Sequence, residues 1–264
     1  MNLQRIRIGR YFPVSSPVHS LHPGVKMACS IGLVAGAFAT GKATGLFLVL
    51  LSVLATIYLA KLPPWRLIAS LRTVAVLLAI ASLAQLLWAP GREVVRLGFV
   101  TVTENGLRNA YFYTFRLVVA VLVLGVLTMT TDELGMLRGL ESLLRPLKAL
   151  GFPVEETAMV LFTALRFLPL LLARAQEISA AQRARGARPE ARDLRGKITF
   201  YLSLVVPLVH AGIKDAEEVG TALAARGYAG GSLLPGWKGG LRFADGLALL
   251  LTTAVVAASF LAPW

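Results

Sequence analysis

The sequence predicts an all-α, polytopic membrane protein: about five transmembrane helices plus three long helices on the cytoplasmic side. Three observations carry this expectation. The 264-residue chain is 56% hydrophobic and its mean hydropathy is +0.69, a balance that several membrane spans produce and soluble domains rarely reach. The apolar residues gather into runs, some of them close to the ~20 residues that cross a hydrocarbon core. The net charge of +13 is concentrated between those runs. A nucleic-acid-binding module would not carry so much apolar sequence. The excess therefore reads as cytoplasmic loops and contact with anionic headgroups of the lipid bilayer, with no nucleic acid as partner.

Residues 1–26 form a polar, basic lead-in with Arg5, Arg7, Arg10 and three prolines. It lacks the short apolar core and small-residue cleavage site of a secretory signal close to the start, so it is expected to be cytoplasmic. Apolar runs follow at Met27–Thr40, Ala43–Ala60, Thr73–Trp88 and Ala110–Thr130, giving four spans over residues 27–130. Gly36 to Ala43 approaches a phosphate-binding loop. Ala43 replaces its hydroxyl residue and no strand precedes it, so it reads as a turn between two spans. The lead-in and the Lys61–Arg72 segment are basic without acids, whereas Ala89–Asn109 mixes both signs. Positive-inside logic then places the N-terminus in the cytoplasm. Arg116, the one charge within these spans, is expected to snorkel toward the interface.

Residues 131–242 hold most of the charge. Thr131-Asp132-Glu133 reads as a helix start, followed by an amphipathic helix over Leu134–Leu150 that could lie at the membrane surface. Two longer helical segments come next. Each has an apolar first half with an internal proline, Pro169 or Pro207, and a charged second half. Hydropathy alone makes spans of Thr157–Ala173 and Ile198–Ile213, for seven in all. The central Arg166 instead favours two bent helices lying against the membrane. Residues 243–264 supply the last span.

The two long segments end alike, at Ala184-Arg185-Gly186 and at Ala225-Arg226-Gly227. Helix capping explains an Arg-Gly end on its own: the cation suits the negative end of the dipole and glycine takes the left-handed closing turn. The context says more. Leu165-Arg166-Phe167-Leu168-Pro169, then Glu177-Ile178, then Ala181 to Gly186 with Gln182, resemble the transmembrane T component of energy-coupling factor (ECF) transporters. Ala225-Arg226-Gly227-Tyr228 resembles the second arginine motif of that family. Ser16-Pro17-Val18-His19, Leu143 to Lys148 and Asp245 also match, in family order.

The resemblance implies a coupling scaffold within an ATP-driven importer of the prokaryotic cell (inner) membrane. Its partners would be two ABC-type ATPase subunits and a small membrane S component that binds a vitamin or transition-metal ion. Arg185 and Arg226 would dock the ATPases, with Ala184, Gly186, Ala225 and Gly227 permitting close backbone approach. Arg166, Pro169, Glu177, Gln182 and Tyr228 would support the coupling helices. ATP and Mg would be bound by the ATPases, leaving this chain with no cofactor and no catalytic residue.

Other classes are weighed on the residues themselves. One cysteine, Cys29, and the scattered His19, His22 and His210 offer neither a disulfide nor ligand spacing for a metal. No nucleophile–base pair marks an intramembrane enzyme. A stand-alone secondary transporter would need buried acids or broken helices at the midplane, and only the two prolines hint at that. Within the family, a dedicated cobalt, nickel or biotin T component is the alternative to one shared among S components.

Overall fold

A computed structural model describes residues 12–88, 93–97, 100–186, 194–228 and 242–261. The protein is an all-α, polytopic membrane protein. Two compact units divide these residues: 12–144 with 242–261, and 145–186 with 194–228.

The first unit is a helical bundle. Its helices are α1 (Pro23–Ala39), α2 (Ala43–Leu59), α3 (Pro64–Trp88), α4 (Glu104–Thr130), α5 (Glu133–Leu144) and, from the chain's end, α8 (Phe243–Leu261). α4 is the hub and packs against α1, α2 and α3, while α8 closes on α1 and α2. The core is built from Leu46, Val49 and Val53 of α2 and Val119, Leu122, Val123, Val126 and Met129 of α4. Elsewhere the bundle turns large apolar side chains outward, such as Phe47, Tyr58, Val76, Ile80 and Leu250. This is the pattern expected of a protein whose solvent is lipid.

Several boundaries move from those the sequence suggests. α3 begins at Pro64, so most of the basic Lys61–Arg72 segment is helical rather than loop. Proline at the first helical position suits this early start. The Ala89–Asn109 connection holds a short antiparallel hairpin, β1 (Glu93–Leu97) and β2 (Val100–Thr103), bulged between Glu93 and Val95. Thr103 then caps α4 by accepting from Gly106 N–H at 3.0 Å. The amphipathic helix expected over Leu134–Leu150 stops at Leu144 and tightens into a 3-10 turn, Arg145–Leu150, because Pro146 cannot continue the α-helical bonding. Asp132 caps α5 through Gly135 N–H at 3.1 Å. α5 lies against the start of α1, where Gly24 and Gly139 permit close approach to Ser142 and Met27. In packing terms, α5 belongs with the bundle, and the compact unit that holds the two long helices begins after Leu144.

Among the described residues, five helices are long and apolar enough to cross a membrane, the number the sequence suggests, but they are not the same five. They are α3, α4, α8 and the two long helices of the second unit. α1 and α2 are apolar but only 17 residues each, about 25 Å.

Helix ends hold the bundle in register. Asp245 is 1% exposed. One of its carboxylate oxygens accepts from His22 N–H at 2.7 Å and the other from Arg242 N–H at 2.8 Å. These are the backbone donors just ahead of α1 and α8, so one side chain joins two helix N-termini. At the same end, buried Lys26 donates through Nζ to the carbonyls of His19 and Thr130, both at 3.0 Å. That ties the C-terminus of α4 to the start of α1. At the far end, Arg116 does not snorkel. It donates to Ala37 O at 3.1 Å and Thr40 O at 2.7 Å, capping α1, while Thr40 Oγ1 donates to Ser259 O in α8 at 2.9 Å. A guanidinium inside a bundle gains more from unpaired helix-end carbonyls than from a stretched path to the interface.

Asp245→Ala leaves two helix-start N–H groups without acceptors, at about 1–3 kcal/mol for each that stays dry. The expected result is a clearly lower melting temperature in detergent, with a smaller drop for Asp245→Asn, which keeps one acceptor oxygen. Arg116→Met should likewise destabilise, by about 2 kcal/mol for the lost charged bonds, and Arg116→Lys should recover only part of the loss.

Candidate functional site

The second unit contains the 3-10 turn and two long helices, α6 (Val154–Ala184) and α7 (Leu194–Ala225). α6 starts with Glu155 and Glu156 in its first turn, where carboxylates suit the positive end of the dipole. Glu155 also accepts from Lys148 Nζ at 2.7 Å. That bond holds the Lys148 ammonium above its ordinary pKa and pins the 3-10 turn to the start of α6. Pro169 and Pro207 sit inside continuous helices.

α6 and α7 pack as an antiparallel pair. Arg174 Nη1 reaches Asp215 Oδ2 at 2.5 Å, and Gln182 Nε2 donates to Ser203 O at 3.4 Å. As α6 advances from Arg174 to Gln182, its partners in α7 retreat from Asp215 to Ser203. The two C-termini therefore point in opposite directions along the pair, and the Arg-Gly ends are carried apart.

Both ends adopt the same closing geometry. Arg185 is the C-cap of α6, with its N–H bonded to Ala181 O at 3.1 Å. Gly186 follows at φ 85° and donates to Arg183 O at 2.9 Å. In α7, Arg226 N–H bonds Ala222 O at 3.2 Å, and Gly227, at φ 70°, donates to Ala224 O at 3.0 Å. Tyr228 N–H then returns to Leu223 O at 3.0 Å, completing a six-to-one and five-to-two pair of closing bonds. A Cβ placed on either glycine would meet nothing within 4 Å. Within this chain the left-handed backbone, rather than crowding, calls for glycine.

Capping therefore accounts for the glycines, and the helix dipole favours a cation at each end, but neither engages the guanidinium itself. The closing bonds use only the backbone of Arg185 and Arg226. Both residues are exposed, as are Ala184, Gly186, Ala225 and Gly227. Among the described residues, neither guanidinium has a hydrogen-bonding or ion-pair partner. Each tip thus presents a planar cation, able to bond a carboxylate or helix-end carbonyls bidentately, beside a backbone bare of side-chain bulk.

The other sequence-derived residues are scattered along the pair. Arg166, Pro169 and Glu177 are exposed on α6, while Gln182 and Tyr228 are half-buried. The structure does not gather them with either tip, except Gln182 and Tyr228 by sequence proximity. Arg174 and Asp215 were missed. Their signal was present in the spacing: each stands eleven residues before its helix's arginine, Arg185 or Arg226.

Comparison with known proteins agrees with this architecture. Residues 14–237 match the family described as CbiQ, cobalt transport protein. A protein of Heliobacterium modesticaldum is 33% identical over 229 residues, which is 87% of this chain and 86% of the relative. One of Thermanaerovibrio acidaminovorans is 34% identical over 231 residues, covering 86% and 85%. One of Bacillus subtilis is 32% identical over 225 residues, covering 85% of each. All three carry the name energy-coupling factor transporter transmembrane protein EcfT. With the match extending from the lead-in through both Arg-Gly helix ends, the chain belongs to the CbiQ/EcfT family of multi-pass transmembrane transport proteins.

Proposed function

We propose that this chain is the T component of an ECF-type importer. It links two ABC-type ATPases, which bind ATP and Mg, to a small S component that carries a vitamin or transition-metal ion. The observation that supports the reading best is the pair of exposed arginines, without partners among the described residues, on helix ends that both close through a left-handed glycine and point in opposite directions. Two such tips suit two separate docking grooves, one per ATPase. The chain itself is a scaffold and not an enzyme.

The topology is compatible with this role. The chain leaves the bundle at Leu144 and re-enters at Arg242. Ser142 and Asp245 both lie at the end of the bundle where α1 begins. That end also holds Lys26 and Arg66, the latter over the Phe12 ring at 4.4 Å. Positive-inside logic makes it the cytoplasmic end of a prokaryotic cell membrane. An excursion that leaves and returns on one side is satisfied whether α6 and α7 cross the bilayer or lie against it.

A T component shared among S components is the first reading, and the relatives are named for an energy-coupling factor transporter. The family's description as cobalt transport keeps a dedicated metal T component as the second reading.

Affinity capture of the tagged chain from its own membranes, followed by mass spectrometry, should recover two ABC-type ATPases and a small hydrophobic protein. That protein would decide between the shared and dedicated readings. A chain that purifies alone and still moves a solute in liposomes would overturn the scaffold. Arg185→Glu and Arg226→Glu should each weaken ATPase association by on the order of 2–5 kcal/mol, the range for a desolvated interfacial charge, and together should abolish uptake. Gly227→Ala forces a side chain into the left-handed turn at about 1–2 kcal/mol. It should loosen the last turn of α7 and weaken ATPase retention less than Arg226→Glu does.

A further inference from the structure

The ion pair between Arg174 and Asp215 occupies a special place between the two tips. From Arg174 to Arg185, and from Asp215 to Arg226, the chain advances eleven residues. Eleven residues are just over three full turns of helix. Each tip arginine therefore lies about 16 Å beyond its half of the pair and on nearly the same helix face. Because α6 and α7 run antiparallel, the pair sits midway between the tips.

The two helices are also joined by the 3.4 Å bond from Gln182 to Ser203 O. Among the described residues of α6 and α7, only Val154, Ala158, Phe200 and Asp215 are buried. Val160, Leu168, Leu170, Leu202, Val206 and Val209 are all exposed. Apolar faces of this kind slide and rotate at low cost, since one aliphatic contact substitutes for another. An ion pair with one direction and one length does not. Arg174 keeps 35% and Asp215 only 10% of its side-chain exposure, so the carboxylate is largely withdrawn from water and depends on its partner.

We infer that the Arg174–Asp215 ion pair is the positioning element of the coupling helices: it sets the register and axial rotation of α6 and α7, and so the spacing and facing of Arg185 and Arg226. Arg174 and Asp215 touch neither ATP nor substrate and act through the tips. A shift of either tip driven by its ATPase passes through this joint to the other helix. This inference rests on the docking role proposed for the two tips, but the joint itself can be tested apart from it.

The test uses the full chain in nanodiscs, with Cys29→Ala and spin labels at the exposed Ala181 and Ala222. The inter-label distance distribution is read without and with the co-expressed ATPases. Uptake is measured on the unlabelled proteins. Arg174→Asp and Asp215→Arg, each alone, place like charges face to face. Each should shift or broaden the distances and lower uptake about tenfold or more, and the Arg174→Asp/Asp215→Arg exchange should restore both, as expected of a directly coupled pair. Asp215→Asn, nearly isosteric, provides the single-site comparison should a charge reversal fail to accumulate. Unchanged distances in the single variants, or an exchange that leaves both defects in place, overturns the inference. Distances restored by the exchange while Arg185→Glu and Arg226→Glu leave ATPase binding untouched would instead overturn the docking reading and leave the joint standing.

Discussion

Helix ends are the constraint on which this structure depends. An α-helix leaves its first N–H groups and last carbonyls unpaired, and the interior of a membrane bundle supplies no water to satisfy them. The bundle meets that requirement with side chains from neighbouring helices. Asp245 serves the starts of α1 and α8, Lys26 the end of α4, and Arg116 the end of α1. Each bond satisfies a terminus and also fixes which helices stand side by side and at what height. Polar residues here specify register, while the Leu and Val core around α4 supplies most of the burial.

The second unit meets the same constraint differently. α6 and α7 close through their own backbone, by way of left-handed Gly186 and Gly227. No side chain is needed to finish either helix, so among the described residues Arg185 and Arg226 remain unengaged. A helix end completed by its backbone is stable without a partner, yet the residue at its tip is available to one. The bundle uses side chains to close helices against one another, whereas α6 and α7 leave the side chains at their tips exposed.

The sequence made the membrane class, the helix ends and the repeated tripeptide legible because each is a local pattern. Apolar runs show in hydropathy, and Arg-Gly after a long helical segment is a capping signal. What stayed hidden depends on contacts between distant segments. Arg116 reads as a lone cation near a span end, and only the fold shows that α1 ends beside it. Arg174 and Asp215 lie 41 residues apart within charged stretches where neither stands out. Span membership was obscured for another reason. α1 and α2 are strongly apolar but short, whereas α6 and α7 are long and carry charges along with an apolar stretch, so hydropathy and length rank them in opposite orders.

The placement of charge also bears on which class of transport protein this is. A secondary transporter moves its cargo by titrating or desolvating ionisable groups along a path through the membrane. Among the described residues of the bundle, Lys26, Arg116 and Asp245 are each bonded to backbone at a helix terminus. Drawing any of them away from its backbone partners would release a helix end. A bundle whose inward charges hold its own helices together is suited to staying rigid. Rigidity is what a scaffold needs if motion generated at Arg185 and Arg226 is to reach another membrane protein instead of dissipating within this one.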